Sequence, residues 1–288
     1  MKTRIITAAI LLPVFFLILF VFPPYILTFL ISAICAIAAY ELIRAIKVRN
    51  LSVLIYSLIA AVFVPMAIYL STLLLYPVLT SVTLLLSIVF TFICLLLIEV
   101  ALTFKNAKSI ERGTQLKFRF IPVALAAGIL IPLMLSTLVV LRSMPYGYLF
   151  VLLPIIITIL TDSGAYFTGI TIGKKKAFPN ISPNKTVEGC IGGIIAGILG
   201  LLLYGMILSL VAPLTVVFPA LILYGLLGAV ITELGDLTFS LIKRKCKIKD
   251  FGNLIPGHGG ALDRFDSLIF TAPLIYLLVT LIPALKIQ

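Results

Sequence analysis

An all-α polytopic membrane protein of about nine spanning helices is the fold class this chain predicts, and three observations predict it. Hydrophobic residues make up 62% of its 288 positions. Charged residues make up 11%, where a soluble domain carries roughly 25%. The mean hydropathy is +1.28. These values exclude a soluble globular domain, a disordered chain and a disulfide-rich secreted module.

A spanning helix needs about 20 apolar residues, and runs of that kind fall at 5–22, 25–46, 51–71, 74–103, 120–142, 146–172, 187–211, 215–243 and 262–284. The first, behind Met-Lys-Thr-Arg, is read as a retained helix. It is long for a signal peptide, and Pro23-Pro24-Tyr25 is not a small-residue cleavage site. Turn chemistry separates the runs at Pro23-Pro24, Asn50, Pro145-Tyr146-Gly147 and Pro213. No stretch is long and hydrophilic enough for a soluble domain. The chain is therefore divided into N-terminal helices with a basic loop, 1–119, and C-terminal helices, 120–288. Gly189, Gly193 and Gly197 recur every four residues in the seventh run. They mark a close-packing face, within a subunit or between subunits.

Lys and Arg number 22 against 10 Asp and Glu, a net charge of +12. Eighteen of the 22 lie in loops that follow even-numbered runs: Arg44 to Arg49, Lys105 to Arg119, Lys174 to Lys185 and Lys243 to Arg264. By the positive-inside rule those loops face the cytoplasm, which outvotes Lys2, Arg4, Arg142 and Lys286. Tyr25, Tyr76, Tyr146 and Tyr148 fall near the opposite helix ends, as interfacial anchors do.

Seven of the ten acids lie between 162 and 266. At 1.5 Å per residue, Asp236 is recessed roughly 12 Å below Arg244, and Asp162 roughly 18 Å below Lys174. Ionisable groups at such depth are costly, and by default they mark function. Asp263 and Asp266 share one face of the first turn of the last run, where a helix N-terminus favours carboxylates. Gly259 and Gly260 beside them let backbone N–H groups approach a ligand. Adjacent carboxylates repel unless a cation lies between them, and Asp236 is placed to complete the set. Oxygen-only donors point to Mg²⁺. Around them stand Lys243, Arg244, Lys245, Lys247 and Lys249, with Lys185 in the neighbouring loop. Carboxylates holding a metal inside a field of cations suit phosphoryl or nucleotidyl transfer. The basic loop 105–119 needs no more than orientation and anionic lipid to explain it.

Other signals point nowhere. Gly169 to Gly173-Lys174 lacks the spacing and the Ser/Thr of a phosphate-binding P-loop. His258, the sole histidine, has no Ser or Cys partner for a triad. Four cysteines without CxxC spacing offer neither a zinc site nor a disulfide framework.

The run from Ser240 through Lys243-Arg244, Lys249-Asp250, Pro256-Gly257-His258-Gly259-Gly260 and Asp263-Arg264-Phe265-Asp266-Ser267 resembles the signature of the CDP-diacylglycerol synthases, or phosphatidate cytidylyltransferases. Asp162 to Gly169 and Ser182 to Gly189 resemble two further blocks of that family. Val187 stands where Trp is common there, Ala261 where a larger apolar residue is common, and Ser163 where Thr is frequent. These are packing positions. The resemblance is to a compact bacterial type, and it implies a multi-pass protein of the bacterial cytoplasmic membrane with its catalytic loops on the cytoplasmic side.

The implied reaction joins CTP to phosphatidic acid, giving CDP-diacylglycerol and pyrophosphate. Asp236, Asp263 and Asp266 are expected to hold Mg²⁺, with a second cation, divalent or monovalent such as K⁺. Lys243, Arg244, Lys249 and Lys185 are expected to bind the triphosphate and the lipid phosphate, with Arg264 in the same basic field. Ser182, Asn184, Glu188 and the 256–260 loop, including His258, Gly259 and Gly260, are expected to shape the nucleotide pocket, and Asp162 to line the cavity. The partners implied are the bilayer and a second copy of the chain, with no nucleic acid. Competing readings are a polyprenol-type kinase, an ether-lipid cytidylyltransferase and, from the proline-broken helices, a secondary transporter.

Overall fold

The computed structural model describes residues 13–48, 51–74, 120–253 and 259–287. Within them seven helices are long and apolar enough to cross a membrane. Of the nine predicted spans, 74–103 lies outside the described residues, and 5–22 is described only from residue 13, helical over 13–20. The other seven correspond one to one with the seven helices, and the run 187–211 coincides with its helix at both ends.

The chain divides into two compact units, neither continuous in sequence. The first comprises Met1–Ser143 and Asp250–Leu262, the second Met144–Lys249 and Asp263–Gln288. The helix at 120–143 belongs with the first, and the chain returns there after residue 249 before entering its last helix.

In the first unit, α1 (Pro24–Ala45) begins on a proline, which has no N–H to lose at a first helical position. It packs against α2 (Leu51–Leu74) and against the helix that runs as α3 (Phe120–Leu125), a π-helical turn (Ala126–Leu130) and α4 (Ile131–Ser143). The π turn lets Gly128 approach the α2 backbone; a Cβ there would stand 3.0 Å from the Ser57 Cα. Arg142, near the end of α4, donates from Nε to the Leu19 carbonyl at 2.8 Å and from Nη2 to the Phe22 carbonyl at 3.0 Å. A basic residue set apart from the four basic loops thus fastens the end of the first helical stretch by satisfying backbone carbonyls there.

In the second unit, the short α5 (Gly147–Phe150) leads into α6 (Leu152–Thr171). A hairpin of β1 (Lys176–Phe178) and β2 (Ser182–Thr186) precedes α7 (Val187–Val211). Then come β3 (Leu214–Val216), α8 (Phe218–Lys245), α9 (Leu262–Leu281) and β4 (Leu285–Ile287), with β3 and β4 paired antiparallel. These two ribbons qualify the all-α reading: segments too short and too polar to span still pair their backbone groups. Tyr224 ties α8 to the following chain by donating to the Ile282 carbonyl at 2.7 Å.

The glycine face of α7 is used inside the subunit. A Cβ on Gly193 would meet the Thr161 carbonyl at 2.8 Å and the Ala165 Cβ at 3.1 Å, and one on Gly197 would meet the Thr161 hydroxyl at 2.8 Å. Gly189, Gly193 and Gly197 are buried against α6 and α8, so they are not available to join two subunits.

Candidate functional site

The second unit gathers recessed carboxylates and their counter-charges from four elements. Thr186 caps α7 by accepting the Gly189 N–H at 3.1 Å, which fixes the turn between β2 and the helix. Glu188 in the first turn accepts the amides of Lys174 at 3.1 Å and Lys175 at 3.3 Å. The favourable end of the helix dipole adds to this. Glu188 thereby anchors the lysine-rich segment that leads into β1. Arg244, in the last turn of α8, donates from Nε to the Ile181 carbonyl at the hairpin's turn, 3.1 Å away.

Held in this way, Lys185 on β2 turns inward. Its Nζ lies 2.5 Å from Glu233 Oε2 and 2.7 Å from Asp236 Oδ2, both on α8. Burial works against the charge of Lys185, but Asp236 and Glu233 more than offset it and raise its pKa above the ordinary lysine value. A second ammonium repeats the pattern. Lys243 Nζ is 2.9 Å from Asp263 Oδ1 and 4.0 Å from Asp266 Oδ2. Asp266 also accepts the N–H of Ser267 at 2.7 Å, and Asp236 accepts the Ser240 hydroxyl at 3.4 Å. Asp162 on α6 lies within the electrostatic field of Asp236, Lys185, Asp266 and Glu233.

Five carboxylates therefore surround two ammonium groups, and Glu233 Oε1 is buried without a hydrogen-bond partner. That excess of oxygen donors fits a hard divalent cation. Among the described residues no three His, Cys, Asp or Glu side chains converge closely enough to form a metal cage. Mg²⁺ does not need one, since it is commonly held by one or two carboxylates together with substrate phosphate and water.

The predicted residues distribute as follows. Asp162, Lys185, Asp236, Lys243, Asp263 and Asp266 come together in the second unit. Ser182 and Asn184 lie on β2, half-buried and exposed, and Lys249 and Arg264 lie at the surface. Gly259 and Gly260 belong to the first unit; Gly259 has φ 84°, a left-handed conformation that glycine adopts without strain. His258 lies outside the described residues.

Two acids that the motifs did not single out are prominent. Glu233 shares Lys185 with Asp236; as an acid buried three residues before Asp236, its depth in an apolar run was the available signal. Glu41, on α1, is buried in the first unit and accepts the N–H groups of Ala261 at 3.1 Å and Leu262 at 2.8 Å. A Cβ on Gly260 would overlap the Glu41 carboxylate. The missing side chain at Gly260 makes room for an internal carboxylate, where the sequence suggested a ligand.

Comparison with known proteins adds independent findings. A model of the cytidylyltransferase family matches residues 2–282. The chain is similar to a phosphatidate cytidylyltransferase of Bacillus subtilis, 46% identical over 136 residues, covering 47% of this chain and 49% of that protein. It is similar to one of Staphylococcus epidermidis, 43% identical over 133 residues, covering 46% and 50%. It is also similar to an uncharacterized protein of Escherichia coli, 42% identical over 130 residues, covering 45% and 42%. The chain spans about half the length of the curated relatives it matches.

Proposed function

The chain belongs to the cytidylyltransferase family, and from that premise we propose that it is a CTP:phosphatidate cytidylyltransferase, a multi-pass enzyme of the bacterial cytoplasmic membrane. The observation that carries the reading is the family match across residues 2–282. The carboxylate and ammonium cluster of the second unit supplies chemistry to go with it.

In this proposal the phosphate of phosphatidic acid attacks the α-phosphorus of CTP. A bond forms from the lipid phosphate oxygen to that phosphorus, the bond to the β-phosphate oxygen breaks, and pyrophosphate leaves. The substrate brings its own nucleophile, so the protein's task is positioning and charge neutralisation. Asp236, Asp263 and Asp266 would hold Mg²⁺, with a second cation, divalent or K⁺, near the same carboxylates. Mg²⁺ when bound supplies positive charge to the phosphate oxygens.

Lys185 and Lys243 neutralise carboxylates of the cluster. The proposal requires them to exchange carboxylate oxygens for phosphate oxygens as substrate binds. Arg244, Lys249 and Arg264 then bring CTP and lipid phosphate to the cytoplasmic face, where Ser182, Asn184 and Glu188 shape the nucleotide pocket. Asp162 lines the cavity. A homodimer belongs to the same proposal and uses a surface other than the glycine face of α7. The test is a lipid panel with labelled CTP: phosphatidic acid should accept label, whereas polyprenol or ether-lipid substrates accepting it in its place would overturn the substrate assignment.

A further inference from the structure

Glu41 is an acid in a helix otherwise built to cross a bilayer. α1 is one of the seven apolar helices, and Glu41 is 4% exposed. A carboxylate in such a place is costly unless hydrogen bonds satisfy it. Here Oε2 accepts from the Leu262 N–H at 2.8 Å and Oε1 from the Ala261 N–H at 3.1 Å. Leu262 is the first residue of α9, so these N–H groups belong to the set a helix start leaves without intrahelical acceptors. Glu41 performs the work of an N-cap from a position 221 residues away in the chain.

The grip extends to both ends of one segment. Side chains at Gly252 or at Gly260 would each overlap the Glu41 carboxylate, so the chain passes this carboxylate before and after residues 253–259. Phe251 adds an apolar anchor, 6% exposed. A groove of about 480 Å³ opens beside Glu41, lined in part by Tyr40, Arg44, Leu58 and Asn253.

We propose that Glu41 is a positioning residue for the reaction: it fixes the backbone at 260–262 and with it the point at which Asp263, the next residue in the chain, enters α9. The inference rests on the cytidylyltransferase reading for its catalytic consequence, but not for the clasp itself. Glu41 acts through the register of α9, which carries Asp263 in its first turn and Asp266 three residues on. A misplacement on the order of 1 Å at a catalytic group costs about 10²-fold in rate.

The test uses the full chain in detergent or nanodiscs. Glu41→Gln keeps the shape but turns one acceptor into a donor that faces an N–H group. The expected result is faster hydrogen exchange in peptides covering 259–265, a kcat lowered about 10²-fold, a KM for CTP within twofold of wild type, and an unchanged melting temperature. Unchanged exchange at 259–265 overturns the clasp. Faster exchange with wild-type kcat overturns the positioning role, and so does a melting temperature that falls in step with activity.

Gly260→Ala gives a second route should Glu41→Gln fold poorly. Alone it should reproduce the faster exchange, and added to Glu41→Ala it should change nothing further, because the displaced carboxylate is already gone. Full additivity of the two changes contradicts the proposal. Wild-type protein without turnover would sink the enzymatic reading, while the exchange measurement still decides the clasp.

Discussion

Replacing Lys185 by Met removes an ammonium that lies within 2.7 Å of both Glu233 and Asp236. The side chains of the three residues are 18%, 9% and 27% exposed. Breaking a fully buried ion pair by deleting one partner costs about 3–5 kcal/mol, because a charge is left buried and unpaired. Solvent reaches Asp236 and screens part of this, so about 2–3 kcal/mol is the reasonable figure for this cluster. At roughly 2–4 °C per kcal/mol for a chain of this size, the melting temperature should fall by roughly 5–10 °C.

Thermal unfolding of the purified protein in detergent micelles measures it. Adding Glu233→Gln to the variant should recover part of the loss, since one unpaired carboxylate is then gone. Burial pulls the Lys185 pKa down, but its two carboxylates raise it above 10.5. The stabilisation is thus complete below pH 10.5 and is lost only as pH climbs through the higher folded value. The difference between wild type and variant should therefore stay constant from pH 7 to 9. A variant that melts within 1 °C of wild type would refute the view that this ion pair organises the second unit.

The remaining expectations concern chemistry and packing. Asp263→Asn should abolish Mg²⁺-dependent incorporation of labelled CTP into lipid in a protein that still folds, as circular dichroism would show; normal turnover rules out its metal role. Lys243→Gln should raise the KM for CTP about tenfold, the worth of one charge-assisted hydrogen bond, and an unchanged value counts against its part in binding triphosphate. Gly193→Val should destabilise the contact between α6 and α7 by about 2–3 kcal/mol, because its Cβ would already stand 2.8 Å from the Thr161 carbonyl; thermal unfolding reads the loss. Tyr224→Phe should cost about 1 kcal/mol through loss of the hydroxyl's hydrogen bond to Ile282, read by thermal unfolding.

Much of this architecture was legible because the bilayer imposes a simple rule on sequence. A run such as 187–211 must be almost wholly apolar, and the polar segment before it marks where it starts; the structure puts the Thr186 cap there. The recessed acids were legible for the same reason: few charges are tolerated at depth, so the cluster from Asp162 to Asp266 stands out. What could not be read was pairing across long separations. Nothing near Lys185 in the chain announces Glu233, 48 residues on, and nothing near Glu41 announces Ala261 and Leu262. Gly260 illustrates the cost of reading locally. Beside Asp263 it suggested a backbone exposed to ligand, whereas the space is taken by a carboxylate from α1. The π turn at Ala126–Leu130 and the β3–β4 ribbon left no periodic signature, because each is too short to repeat.

Nucleotidyl transfer from CTP to phosphatidic acid can be followed through the fate of each CTP phosphate. Purified protein would be given phosphatidic acid, Mg²⁺ and CTP labelled at either the α- or the γ-phosphorus. α-Label should enter the lipid phase as CDP-diacylglycerol, and γ-label should appear in pyrophosphate. γ-Label entering the lipid, with CDP released, would contradict nucleotidyl transfer and make the protein a kinase.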